Sequence, residues 1–101
     1  MPKLSVVVPV YRAALGIQKN FQVIKDVLDR HTPEFHYEII LVNDGSPDNS
    51  LELMEAIRRE YPAVTGVVNL VRNFGQVAAI FAGLRASTGD CAAVISDDLR
   101  N

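Results

Sequence analysis

Cysteine and histidine are scarce, at one and two of 101 residues. That leaves no Cys/His set for zinc, no Cys–His nucleophile pair and no disulfide framework. Cys91 heads an apolar run, where a thiol is expected to act as a small buried hydrophobe in a reducing, cytoplasmic setting. The N-terminus has no signal-peptide core, and no run of 18 or more apolar residues could span a bilayer, so the segment reads as soluble. Basic residues are not in excess: 10 Lys and Arg face 12 Asp and Glu, for a net charge of −2. A protein whose main partner is a phosphate backbone needs the opposite balance, so nucleic acid is not expected as principal ligand. The sequence also lacks G-x-G-x-x-G after its first apolar run and G-x-x-x-x-G-K-[ST] anywhere, which excludes a dinucleotide fingerprint and a P-loop. There is no internal repeat, linker or low-complexity stretch, so residues 1–101 read as one domain.

What is present is 49% hydrophobic and 22% charged, the make-up of a globular domain. Four apolar runs stand out: Leu4 to Val8, Ile39 to Val42, Val67 to Val71 and Ala92 to Ile95. They are continuous rather than alternating, the pattern of strands covered on both faces. Between them lie helical spacings. Ile17, Phe21, Ile24 and Leu28 predict a first helix ending near His31-Thr32-Pro33. Leu51, Met54, Ile57 and Tyr61 predict a second, entered through Ser46-Pro47-Asp48-Asn49-Ser50. Val77, Ile80, Phe81 and Leu84 predict the packed face of a third, stopped by Ser87-Thr88-Gly89. The order βαβαβαβ predicts an α/β fold with a doubly wound, mainly parallel sheet and right-handed crossovers.

Each apolar run breaks off into a polar segment: Pro9-Val10-Tyr11-Arg12, Asn43-Asp44-Gly45-Ser46, Arg72-Asn73-Phe74-Gly75 and Ser96-Asp97-Asp98. In a parallel sheet these ends share one edge, where open α/β sheets bind ligands. One Asp after the fourth run could simply cap a following helix, a contribution of about 1 kcal/mol. Two in succession, at the same edge as Asp44, point to a site for Mg²⁺ or Mn²⁺ whose octahedron water and phosphates complete. Asp44 could serve only an Asp-Gly turn, yet a helix rather than a strand follows. Its acceptor-only carboxylate suits the ring N–H of uracil or guanine. Tyr11 alone would read as an amphipathic core residue; beside Asp44 its ring offers a stacking surface. Arg72 precedes a helix N-terminus and suits phosphate, whereas Arg12 is either a second phosphate group or a solvated one. His31 and His36 fall at the opposite edge and receive no role.

Together, Leu4-Ser-Val-Val-Val-Pro-Val-Tyr11, Glu38-Ile-Ile-Leu-Val-Asn-Asp-Gly-Ser-Pro-Asp48, Arg72-Asn-Phe-Gly75 and Ile95-Ser-Asp-Asp-Leu99 resemble the N-terminal half of a family 2 glycosyltransferase with the GT-A fold, a Rossmann-like sheet. The Arg-Asn-Phe-Gly loop and Asp-Asp-Leu ending are most similar to the dolichol- and polyprenyl-phosphate branch. The resemblance implies that Pro9 and Tyr11 line the base pocket, Asp44 reads the base, Asp97 approaches the ribose or diphosphate, and Asp98 binds the divalent metal. It implies a UDP- or GDP-sugar donor and a lipid-phosphate acceptor, or else a saccharide hydroxyl. The catalytic base and the membrane-associating part would lie downstream, with the full protein at the cytoplasmic face of the membrane and the shortened domain prone to homo-oligomerise. Four positions depart from the family pattern. Arg12-Ala13 stand where Asn-Glu is common, Ser96 replaces the first Asp of the branch's Asp-x-Asp-Leu-Gln, and Arg100 replaces its Gln, which predicts fewer protein ligands to the metal. From the residues alone, a Mg²⁺-dependent phosphotransferase with an Asp nucleophile and a non-enzymatic receiver-like module are the competing classes.

Overall fold

The computed structural model describes residues 2–11, 15–31 and 34–95. Along the chain run β1 (Lys3–Val10), α1 (Ile17–Asp29), β2 (His36–Asp44), α2 (Ser50–Glu60), β3 (Thr65–Leu70), α3 (Gln76–Ala86) and β4 (Cys91–Val94). All strands are parallel in the order β3-β2-β1-β4. The chain steps from β1 to β2 to β3 in one direction, then returns across the sheet to the free edge of β1. Right-handed crossovers require that α1 and α2 lie on one face and α3 on the other. The two core clusters follow that division. Val6, Val8, Ile39 and Leu41 pack with Ile17, Phe21, Ile24 and Leu28 of α1 and Met54 and Ile57 of α2. Val7, Ile40 and Val42 point the other way and pack with Ala79. The strand order reverses between β1 and β4, which places the ligand crevice of such a sheet beyond their carboxyl ends.

The first helix buries all four residues its spacing predicts, while the second buries Met54 and Ile57 and leaves Leu51 and Tyr61 half-buried; Tyr61, the residue that ends α2, stacks on Phe21 with ring centroids 5.7 Å apart. Thr32 and Pro33 lie outside the described residues. The third helix differs from expectation. Val77 is 68% and Phe81 64% exposed, and the buried positions are Ala79 and Gly83. The cause is the closeness of α3 to the sheet: a Cβ on Gly83 would stand 2.3 Å from Val7 Cγ1 and 3.0 Å from Val42 Cγ2. Small residues admit that approach, and the large ones turn to the flanks, although Leu84 still packs against the second cluster. Cys91 also departs from expectation. It is exposed, because β4 forms the sheet's edge and is mostly open to solvent. Val71 falls beyond β3 and is exposed as well.

Candidate functional site

Register aligns the predicted loops. Pro9 lies opposite Val42 and Val10 opposite Asn43, so Tyr11 and Asp44 leave neighbouring strands at the same level. Asp44 in turn lies opposite Leu70, two residues before Arg72. Pro9 is buried within β1 and Tyr11, at the strand's end, is 39% exposed.

Asp44 is only 4% exposed, a costly place for a carboxylate without donors. Its Oδ1 accepts the Phe74 backbone N–H at 2.9 Å. No hydrogen bond to Oδ2 occurs among the described residues, so one oxygen holds the β3–α3 loop and the other remains an acceptor. Gly45 fixes the same junction. It sits at φ +68°, and a Cβ there would come within 2.1 Å of the Arg72 carbonyl carbon, a space no other residue fits. The loops after β2 and β3 are thereby locked together. Asn43 completes the lock by donating to Asn69 Oδ1 at 2.9 Å and accepting the Ser46 N–H at 3.1 Å.

Arg72 places its guanidinium carbon 4.8 Å from the centre of the Phe74 ring. That contact limits where the side chain can swing, and it stands beside the entry to α3. There Gly75, at φ +97°, donates its N–H to Asn73 Oδ1 at 2.8 Å and sets the turn into the helix. A hollow of about 310 Å³ lies at this edge, lined by Asn43, Gly45, Ser46, Asp48 and Asn69 among others. The structure thus brings together Pro9, Tyr11, Asp44 and Arg72. Arg12, Asp97 and Asp98 lie outside the described residues.

Among the described residues, no three His, Cys, Asp or Glu side chains group to hold a metal. A hard cation that keeps its waters and takes substrate phosphates needs only one or two carboxylates. The donor chemistry that fits is the Asp97–Asp98 pair, which follows Ile95 by two and three residues.

A larger hollow, about 760 Å³, opens at the other end of the sheet between Lys3, Lys25, Tyr37, Tyr61 and Val64. Three of its polar groups, Lys25, Asp29 and Tyr37, are engaged with one another. Lys25 pairs with Asp29 at 2.8 Å and lies 4.8 Å from the centre of the Tyr61 ring, while the Tyr37 hydroxyl donates to Asp29 at 2.6 Å. The hydrogen bond it donates to Asp29, foremost, keeps the Lys25 ammonium above its ordinary pKa and charged. His36 lies here, at the edge opposite the site, as expected.

Sequence reasoning missed the clamp from Phe74, because a main-chain donor carries no residue identity. Gly45 was legible as a turn residue but not as the point where two loops touch. Only the fold brings residue 45 against residue 72.

Comparison with known proteins gives concordant results. Over 97 residues, 96% of this chain, the sequence is 40% identical to the uncharacterized glycosyltransferase YkcC of Bacillus subtilis. It is 38% identical, over 97% of its length, to an undecaprenyl-phosphate 4-deoxy-4-formamido-L-arabinose transferase of Pseudomonas fluorescens. The chain spans 29% and 28% of those two relatives. In structure it resembles a mannosyltransferase of Pyrobaculum calidifontis solved with GDP-Man and Mn²⁺, with TM-score 0.80 and 22% identity over 96% of this chain and 28% of that one. It also resembles S. aureus TarS 1–349 in complex with UDP, with TM-score 0.75 and 24% identity over 95% of this chain and 27% of that one. These two likenesses establish the Rossmann-like GT-A sheet. The family model for glycosyl transferase family 2 matches residues 5–101, and the chain therefore belongs to that family.

Proposed function

We propose that this chain is the donor-binding part of a glycosyltransferase that takes a UDP- or GDP-sugar and a divalent metal, Mg²⁺ or Mn²⁺, and passes the sugar to a polyprenyl phosphate. The observation that carries the reading is the divided carboxylate of Asp44. With Oδ1 tied to Phe74, the side chain is held still, and Oδ2 is left as an acceptor suited to the ring N–H of uracil or guanine. Tyr11, level with it on β1, supplies a stacking surface, and Pro9 stiffens the strand beneath. Arg72 and the N-terminus of α3 favour the diphosphate, and Asp97 is assigned to approach the ribose or diphosphate.

Asp98 is the residue assigned to the metal, with Asp97 beside it. The metal would neutralise charge developing on the diphosphate as it leaves. A lipid phosphate is already an anion at neutral pH and needs little help from a base, so none is required within these 101 residues. A saccharide hydroxyl would need one, located in the part of the protein beyond this chain. The relatives that carry undecaprenyl-phosphate in their names favour the lipid acceptor. No helix among the described residues is long and apolar enough to cross a membrane. Membership of family 2 speaks against the phosphotransferase and receiver-like classes.

The test is a thermal-shift titration with UDP, GDP and their sugar conjugates, with and without Mn²⁺, on the native chain, Asp44→Ala and Asp98→Ala. At 100 times Kd, binding adds about 2.7 kcal/mol to stability. The expected result is a metal-dependent rise in Tm with one base, lost in both variants. A rise that persists in Asp98→Ala and does not need metal would contradict the assignment.

A further inference from the structure

β4 is the weakest strand of the sheet. It has four residues, and three of them are exposed. Its sequence, Cys91-Ala92-Ala93-Val94, specifies register poorly, since a slip by one residue exchanges alanine for alanine. Yet each such slip would move everything after it by about 3.3 Å and turn side chains to the other face. Asp97 and Asp98 follow directly, and metal ligation tolerates only about 0.2 Å. Something outside β4 must therefore set its position.

The turn that delivers β4 is held by a closed set of hydrogen bonds centred on Glu38 of β2. Its Oε2 accepts the Ser5 hydroxyl at 2.6 Å, the Thr88 N–H at 2.7 Å and the Thr88 hydroxyl at 3.1 Å. Ser5, fully buried on β1, accepts the Gly89 N–H at 2.8 Å through the same hydroxyl oxygen. Lys3 contributes from both its backbone and its side chain. Its N–H donates to Asp90 Oδ2 at 2.9 Å and its carbonyl accepts the Asp90 N–H at 2.8 Å, while Nζ donates to Thr88 Oγ1 at 2.7 Å and lies 3.5 Å from Glu38 Oε1. Gly89 admits the approach: a Cβ there would lie 2.5 Å from Ser5 Oγ and 2.8 Å from the Lys3 carbonyl oxygen. Residues 88–90 are thus fixed to β1 and β2 before β4 begins, at the opposite end of the sheet from the donor site.

We propose that Glu38, acting through Ser5 and the Thr88-Gly89-Asp90 turn, is the positioning residue that sets the register of β4 on β1 and so the place of the acidic pair. The second half of this statement rests on the donor-site reading above. The test pairs amide hydrogen exchange with Mn²⁺-dependent binding of UDP and GDP, on the native chain, Glu38→Ala and Glu38→Gln. Because Glu38→Ala strips the partners from several donors, exchange at Ala93 and Ile95 should quicken by about tenfold or more, with Val7, Val8 and Leu41 unchanged. Nucleotide affinity should fall by a similar factor, about tenfold, and Glu38→Gln, which keeps an acceptor oxygen, should recover most of both losses. Should Glu38→Ala fail to fold, Thr88→Val removes only the exposed hydroxyl's links and carries the same comparison.

Faster exchange spread evenly over all strands would overturn the clasp, reducing Glu38 to general stability. Loosened β4 amides with unaltered nucleotide affinity would overturn its positioning role. If the native chain binds neither nucleotide, the donor-site reading falls, and the exchange pattern alone still decides whether Glu38 holds the strand.

Discussion

Two carboxylates on β2 are put to different use by what surrounds them. Asp44, at the carboxyl end, accepts the Phe74 N–H through one oxygen and so ties down the β3–α3 loop. Glu38, near the start of the strand, is enclosed by donors. Burial by itself would raise its pKa, but the Ser5 hydroxyl, the N–H and hydroxyl of Thr88 and the Lys3 ammonium outweigh burial and hold it below the ordinary value of 4.5. A carboxyl with a depressed folded pKa binds its proton more readily in the unfolded chain. Its stabilisation is therefore present above 4.5 and is lost as the pH falls through the lower folded value. Lys3 and Asp90 are the other charged groups touching this cluster, so the Glu38 share is the difference between native chain and Glu38→Gln. Urea unfolding from pH 6 to pH 3 should show the native chain losing stability faster than the variant over the acid limb. Parallel curves would mean that the Glu38 charge contributes nothing.

The helices teach what spacing can and cannot say. For α1, apolar residues at helical intervals became the buried face because Phe21, Ile24 and Leu28 meet a sheet surface wide enough to receive them. The spacing of Val77, Ile80, Phe81 and Leu84 was equally regular and mostly misleading. Ala79 and Gly83 allow the α3 backbone to come closer than any large residue could, and closeness over Val7 and Val42 won. Hydrophobicity counts residues, whereas packing depends on which face can approach. Gly83→Ala makes the contest measurable. Alanine gains about 1 kcal/mol of helix propensity, but overpacking against Val7 costs about 1–3 kcal/mol, so net destabilisation is expected in urea. Phe81→Ser, on the exposed side, should stay within about 0.5 kcal/mol of the native chain. A stabilised Gly83→Ala would show that α3 has room to move outward. Cys91 was misjudged for a related reason. Its apolar neighbours signalled burial, but strand order, which sequence does not carry, put β4 at the edge.

For the whole molecule, the sequence made the architecture legible because three unbroken strand–helix crossovers leave few topologies open. The gathering of Pro9, Tyr11, Asp44 and Arg72 was legible for the same reason: strand ends in a parallel sheet must share an edge. The lock between the loops was not, since it depends on contacts between residues 30 apart. Among the described residues nothing pairs with the outer side of β4, and Val77, Phe81 and Val94 are exposed. An open edge beside apolar surface favours self-association, so solution scattering should report a mass rising with concentration. A strictly monomeric mass at high concentration would contradict this.

Whether nucleotide binds at the carboxyl edge of this sheet is read directly from the chain's amide NMR spectrum during titration with UDP or GDP in the presence of Mg²⁺. Binding there shifts signals at Val10, Tyr11, Asp44 to Ser46 and Arg72 to Gly75 and leaves Lys25, Asp29 and Val64 unmoved. Shifts centred instead on the hollow between Lys25, Tyr37 and Tyr61 would place the ligand at the wrong end of the sheet and contradict the claim.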